Sequence, residues 1–353
     1  MLNGTERNAT FDYNFISQQL TKYLGISLYI LCLFGTIMNI LAFTGQTYRN
    51  RSCSLYLLIA SIFDFLHLNL GPLSNIIEYA FHYNWTIHSV SFCKLKNYFV
   101  FLFSIMSATL TTFVCIERYI LSSRKSDRWK YCTRPMAVRF TQFAIIFWIV
   151  VSLPILLCYT RSRHASRNEQ CICSNISSSF ICFLIQLLYV CVFNGFLPPI
   201  ITMIFSLRTC VNVRHLRQRS LVKSLFVQTM NYQITTMFIL QSIKSSLFSL
   251  PFSIVNLYLL VTSQKHKSAL DVAKENLIYQ IVYLLFWSNY TSFFIYICSS
   301  DIFRGQWIKT VRRLVYHACG KGRRESSYRS QLVRWKSSEQ HLRFNLVQVF
   351  IHQ

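Results

Sequence analysis

Charged residues are scarce in this chain of 353 residues, and acidic residues are the scarcest among them. Asp, Glu, Lys and Arg together make up 14% of the sequence, whereas average soluble chains carry about 25%. Only 9 glycines and 6 prolines are present, so long helices meet few interruptions. Because 53% of the residues are hydrophobic, the composition argues against a soluble globular protein.

Apolar runs near 20 residues recur along the chain, and such a run can cross a bilayer as a helix. We therefore predict an all-α membrane protein, a seven-transmembrane helix bundle with a short amphipathic cytosolic helix. The predicted spans are 23–46, 54–80, 92–122, 136–159, 179–207, 229–262 and 275–299. Residues 1–20 lack the apolar core of a cleavable signal, so the first span is expected to direct its own insertion.

The formal net charge of +24 is clustered, and its distribution predicts the orientation of the bundle. Most Lys and Arg residues fall between spans on one side, notably in 124–139 and 208–223, and in the tail. The positive-inside rule then places the N-terminus outside. The basic inner segments favour membrane lipids over nucleic acid as partners, and helix 301–316 is expected to lie along the inner leaflet.

This orientation divides the chain into an extracellular glycosylated N-terminus (1–22), the seven-helix bundle (23–300), and the amphipathic helix with a basic cytosolic tail (301–353). Glycosylation sequons agree with it, because four of them fall in segments predicted to be outside. Their acceptor residues are Asn3, Asn8, Asn84 and Asn175.

The third apolar run carries a cysteine at one end and an acid–arginine pair at the other. Cys93 lies 25 residues before Arg118, which in an α-helix corresponds to about 37 Å, roughly one bilayer with its interfaces. The Arg118 guanidinium can pair with Glu117 or with an acid on a neighbouring helix, and breaking such a pair is a plausible switch. A snorkelling arginine at the membrane boundary is the alternative.

This arrangement resembles the third helix of rhodopsin-like (class A) G-protein-coupled receptors, in which an E/D-R-Y motif is cytosolic and the cysteine lies outside. The resemblance covers roughly residues 23–316. It implies a multi-pass plasma-membrane receptor, not an enzyme, that binds an extracellular ligand and a heterotrimeric G protein. The residues it implies in coupling or switching are Glu117, Arg118, Tyr119 and Tyr296.

Several signatures of that family are altered here. The sixth-span Cys-Trp-x-Pro motif reads Phe-Ser-Leu-Pro and ends at Pro251, without the tryptophan. The seventh-span Asn-Pro-x-x-Tyr motif begins at Ser292 and keeps only its tyrosine, Tyr296. The altered set resembles divergent invertebrate peptide-receptor-like members more than aminergic receptors or opsins.

Two charged residues lie inside predicted spans, where a charge is costly and normally faces the bundle interior. The resemblance implies a sodium-binding cluster of Asp64, Ser107, Asn289 and Ser292, with Na⁺ the only possible cofactor; a protonated or hydrogen-bonded structural acid is the alternative. Lys244 can pair with Asp64 or with seventh-helix oxygens, or can snorkel. A retinal Schiff base is disfavoured, because opsins carry that lysine in the seventh span, where this chain has none.

The resemblance further implies a disulfide from Cys93 to the second outer loop, with Cys171 or Cys173 as its partner. We favour Cys171, because it leaves a longer link to the fifth span. The cysteines inside spans are interpreted as small packing residues. They include Cys32, Cys115, Cys158, Cys182, Cys191 and Cys298.

The ligand is expected to be a peptide or small molecule. Val100 stands where amine receptors carry an aspartate, which argues against a biogenic amine. The positions expected to line the ligand pocket are His67, Glu78, Lys96, Val100, Ser104 and Gln186. A transporter or an intramembrane enzyme is the alternative class, but the sequence shows no repeated halves, no His-Glu-x-x-His motif and no pair of intramembrane aspartates.

Overall fold

The structure is a computed structural model that describes residues 4–45, 51–81, 89–123, 132–163, 171–175, 180–219, 225–263, 265 and 267–318. The α-helices are Gly4–Leu20, Ile26–Phe43, Ser52–Leu70, Pro72–Phe81, Val90–Ser122, Arg134–Ser152, Ile155–Cys158, Phe180–Gln186, Leu197–Arg219, Leu225–Val261, Ala269–Trp287, Ser292–Ser299 and Asp301–Ala318. The wider π-helical turns Thr21–Gly25 and Leu187–Phe196 and the 3₁₀ turn Ser288–Thr291 connect consecutive helices.

Among the described residues, seven helical stretches are long and apolar enough to cross a membrane, which confirms the predicted seven-span bundle. They are numbered first to seventh along the chain: Ala9–Phe43, Ser52–Phe81, Val90–Ser122, Arg134–Cys158, Phe180–Val213, Gln233–Val261 and Ala269–Ser299. Large apolar side chains such as Phe143 and Ile146 remain exposed on the fourth span. Such outward-facing apolar side chains are suited to contact with lipid tails. The helix also pairs its backbone groups internally, as a lipid environment requires.

Helix formation extends beyond the predicted spans at the N-terminus. The first helix begins at Gly4, well before the predicted start of the first span at residue 23, and its early part contacts the seventh span. Hydropathy identifies the length of chain that needs lipid, whereas a helix can continue into polar sequence when a neighbouring helix supports it.

The fifth and seventh spans each contain a stretch that departs from regular α-helix. In the fifth span, the π-helical stretch Leu187–Phe196 precedes Pro198 and Pro199, which have no backbone N–H to donate. A Cβ atom at Gly195 would collide with Ser253, so the glycine permits close approach of the fifth and sixth spans. In the seventh span, the 3₁₀ turn Ser288–Thr291 breaks the helix although no proline is present there.

A two-stranded hairpin lies between the fourth and fifth spans and adds to the predicted all-α bundle. Strand β1, Tyr159–Arg163, pairs antiparallel with strand β2, Cys171–Asn175. Arg161 is opposite Cys173, and Arg163 is opposite Cys171. Strand β2 therefore contains both Cys171 and Cys173, the two candidate disulfide partners of Cys93.

Residues 1–307 form one compact unit, and residues 308–353 form a second. Within the first unit, Phe303 is fully buried, and its ring centroid lies 5.5 Å from that of Phe43 and 5.7 Å from that of Tyr296. The Trp307 Nε1–H donates to the Met38 sulfur at 3.3 Å. In the second unit, the described residues 308–318 are helical.

Candidate functional site

A polar cavity of about 80 Å³ lies between the second, third, fifth, sixth and seventh spans. By the same measure one water needs about 10–15 Å³, so several waters fit. Asp64, Ser107, Asn289 and Ser292, the cluster implied by the sequence resemblance, all line this cavity. The Asp64 carboxylate accepts a hydrogen bond from the Ser107 hydroxyl.

Two acceptor oxygens of the residues that line the cavity have no hydrogen-bond partner in the part of the chain that the structure describes. The Asn289 amide donates to Ser249 Oγ at 3.0 Å, but its Oδ1 atom is buried without a partner. Gln241 Oε1 also lines the cavity and lacks a partner. Together with the Asp64 carboxylate, these oxygens favour a cation or hydrogen-bond donors inside the cavity, because buried acceptors left unpaired are destabilising.

Lys244 lies beside this cavity without being one of its lining residues. Its Nζ donates to the backbone carbonyl oxygen of Asn289 at 3.0 Å. It also lies close enough to Asp64 for an electrostatic interaction, although neither residue takes part in an ion pair within 4.0 Å. Of the arrangements expected for Lys244, the structure shows pairing with a seventh-helix oxygen.

The second polar site is at the far end of the third span from Cys93, where Glu117 and Arg118 are both buried. The Ser52 hydroxyl donates to the Glu117 carboxylate, while the Arg118 guanidinium donates to the sulfur of Cys53. Glu117 Oε2 and Arg118 Nε have no partner. The two side chains therefore face different residues of the second span and form no ion pair with each other in this conformation.

Cys132 also lies beside this pair, outside the spans. Its thiol donates weakly to the Glu117 carbonyl oxygen at 3.9 Å. Burial raises the pKa of the Cys132 thiol to about 11, so the thiol stays protonated near neutral pH. The sulfur therefore does not provide Arg118 with a negative charge.

The side chains of the other two expected switch residues pack elsewhere in the bundle. The Tyr119 ring packs against Phe205 of the fifth span with centroids 5.3 Å apart. Tyr296 is buried, lines the polar cavity and packs against Phe43 at 6.1 Å. Tyr296 therefore belongs to the cavity, whereas Glu117, Arg118 and Tyr119 lie at the end of the third span.

The expected ligand-pocket residues do not form one cavity. His67 Nδ1 lies 3.0 Å from the Val100 carbonyl oxygen, and its buried Nε2 lacks a partner. Glu78 and Lys96 interact electrostatically with each other. The Ser104 hydroxyl donates to Asn194 Oδ1 at 2.8 Å within the polar cavity, whereas Gln186 lines a separate cavity of about 10 Å³.

Two disulfides are relevant to the Cys93 end of the bundle. Cys93 is buried and disulfide-bonded. The side chains of its expected partners, Cys171 and Cys173, lie outside the described part of the structure, so the choice between them stays a prediction. Cys158 and Cys182 form a disulfide between the end of the fourth span and the start of the fifth, with Cα atoms 5.3 Å apart.

The interpretation of Cys158 and Cys182 as packing residues was therefore wrong. Both belong to apolar runs, which suggested buried thiols, but packing places these two span ends close enough for a bond. By contrast, Cys32, Cys115 and Cys191 are free and buried, and Cys298 is free and exposed. Among the glycosylation predictions, Asn3 and Asn84 lie outside the described residues, as do the side chains of Asn8 and Asn175.

The seven spans, the mid-bundle polar cavity and the buried arginine at one end of the third span define a helical membrane receptor. The chain matches the family described as 7 transmembrane receptor (rhodopsin family) over residues 35–296, and it belongs to that family. A search of the curated proteins finds no match to this chain. Membership carries the general function of the family, in which an extracellular ligand controls signalling through G proteins from the plasma membrane.

Proposed function

We propose that this receptor binds a peptide or small molecule at the Cys93 end of the bundle, outside the cell, and activates a G protein at the Arg118 end. The observation that carries the proposal is the state of Arg118, which is buried, makes no ion pair within 4.0 Å with any described residue and donates to the sulfur of Cys53. Its Nε atom is buried without a hydrogen-bond partner, and an unpaired buried donor is costly. A conformation that exposes it to an acceptor on a G protein would relieve that cost.

Charge and sequons support the proposed orientation. The basic segments 124–139 and 208–223 adjoin the Arg118 end of the bundle, where they would meet the cytosolic leaflet and an acidic partner. The sequons of Asn84 and Asn175 adjoin the opposite end, where glycosylation would take place.

Polar groups toward the Cys93 end support a ligand with both charged and hydrogen-bonding groups. Glu78 and Lys96 offer opposite charges on adjacent spans, and His67 offers an unpaired ring nitrogen. Val100 provides no carboxylate for an amine. A peptide carries ammonium, carboxylate and amide groups together, which makes it the ligand class that this set fits best.

The alternative class, an intramembrane enzyme, would need catalytic or metal-binding side chains that converge within the spans. No three His, Cys, Asp or Glu side chains are grouped as a metal centre would require in the part of the chain that the structure describes. Asp64 is the only acid among the residues that line the polar cavity.

Binding of a nucleotide-free G protein to the purified receptor tests the proposed function. We expect a stable complex that dissociates on addition of GTP, because the nucleotide-free state is the one an activated receptor holds. Assays over a set of G-protein subtypes would reveal the partner. Absence of binding to every subtype, with the receptor shown to be folded, would contradict the proposal.

A further inference from the structure

The polar cavity has the ligand atoms of a cation site. Its one carboxylate is that of Asp64, and the Ser107 and Ser292 hydroxyls add neutral oxygens. Asn289 Oδ1 and Gln241 Oε1 are buried acceptors without partners on the same cavity. Oxygen ligands around a single carboxylate are the kind of set that hard cations bind.

The chain itself places a cation beside this site, although Lys244 is not one of the residues that line the cavity. The Lys244 ammonium bonds the carbonyl oxygen of Asn289, whose side chain lines the cavity, and interacts electrostatically with Asp64. A sodium ion at Asp64 would share one negative charge with this ammonium. Like charges repel strongly in a poorly solvated interior, so the residues present do not fit sodium while Lys244 is charged.

We propose that the Lys244 ammonium, from its position beside the cavity, takes the place of a sodium ion as the counter-charge of Asp64. The ammonium balances Asp64 and fastens the sixth span to the seventh through Asn289. The positive charge that balances Asp64 then belongs to a side chain of the receptor, so it does not depend on the sodium concentration.

Thermal unfolding of the purified receptor tests this inference without a ligand or a G protein, so its failure is separable from failure of the signalling role. The melting temperature is measured in sodium chloride and in N-methyl-D-glucamine chloride at equal ionic strength. We expect the same melting temperature in both salts for wild type. Lys265→Met, at an exposed lysine outside the spans, is the matched control and should behave like wild type.

Lys244→Met removes the competing positive charge and should allow a sodium ion to bind at Asp64. Its melting temperature should become about 2–4 °C higher in sodium than in the organic cation, the shift expected for an ion at several times its dissociation constant. Combining Lys244→Met with Asp64→Asn should abolish that difference. If Lys244→Met does not fold, Lys244→Gln serves the same purpose, because its amide can still donate to Asn289.

Two results would overturn the inference. One is a sodium-dependent melting temperature in wild type, which would show that sodium binds beside Lys244. The other is a folded Lys244 variant that does not respond to sodium, which would show that the Lys244 charge is not what keeps sodium away from Asp64.

Discussion

Lys244 of the sixth span and Asn289 of the seventh are joined by a hydrogen bond of 3.0 Å from the ammonium to the backbone carbonyl oxygen. Asn289, which accepts this bond, lies in the 3₁₀ turn Ser288–Thr291, where the seventh helix is interrupted. Movement of the sixth span relative to the seventh must therefore stretch or break this contact. The relationship links the charge balance of the polar cavity to the geometry of the two spans.

Asp64 and Lys244 should be energetically coupled. Asp64→Asn leaves the ammonium without a counter-charge, and Lys244→Met leaves the carboxylate without one, so each single variant should be less stable than wild type. The double variant should be more stable than the sum of the two losses predicts, with a coupling free energy of about 0.5–3 kcal/mol. Unfolding free energies of the four proteins in detergent measure this coupling, and additive losses would refute it.

The Cys158–Cys182 disulfide should stabilise the junction of the fourth and fifth spans. Replacing either cysteine by serine should lower the unfolding free energy by about 2–4 kcal/mol, and replacing both should cost little more than replacing one. Cys191→Ser is the matched control, because Cys191 is a buried free thiol on the fifth span. Equal losses for Cys191→Ser and Cys158→Ser would show that the bond itself contributes nothing.

Gly195 should be essential for packing of the fifth and sixth spans. Alanine there would place a Cβ against Ser253 and 2.9 Å from the Val190 carbonyl oxygen, so we expect a loss of about 1–3 kcal/mol in unfolding free energy. Gly305→Ala is the control, because a Cβ at Gly305 meets nothing within 4 Å. That variant should gain about 0.5–1 kcal/mol from helix propensity. Similar effects at both glycines would contradict the close approach.

Cys53 should restrain the resting conformation through Arg118. Cys53→Ala removes the sulfur that accepts from the guanidinium, and we expect several-fold higher basal nucleotide exchange on the G protein, since a bond to a charged group contributes about 1.5–3 kcal/mol. Ser54→Ala is the control, because the Ser54 hydroxyl is buried without a partner. Unchanged basal exchange in Cys53→Ala would indicate that the contact does not bias the equilibrium.

The seven spans could be predicted from sequence because the bilayer sets the length of an apolar helix. The resemblance to rhodopsin-like receptors implied that Asp64 and Asn289 belong to one cluster, and both line the polar cavity. The start of the first helix at Gly4 could not be predicted from the sequence, because polar residues carry no hydropathy signal. The Cys158–Cys182 disulfide and the Arg118–Cys53 contact each join two different spans, so they depend on the packing of the whole bundle.

Nucleotide exchange on a reconstituted G protein is the measurement that tests the central claim most directly. Arg118→Ala is compared with wild type and with Lys265→Ala, a control at an exposed basic residue between the sixth and seventh spans, outside the basic segments proposed to meet the G protein. Loss of the switch should reduce receptor-stimulated exchange by about 5- to 150-fold in Arg118→Ala, the range of typical allosteric couplings, while surface expression stays the same. Lys265→Ala should exchange like wild type. Undiminished exchange in a well-expressed Arg118→Ala receptor would contradict the account.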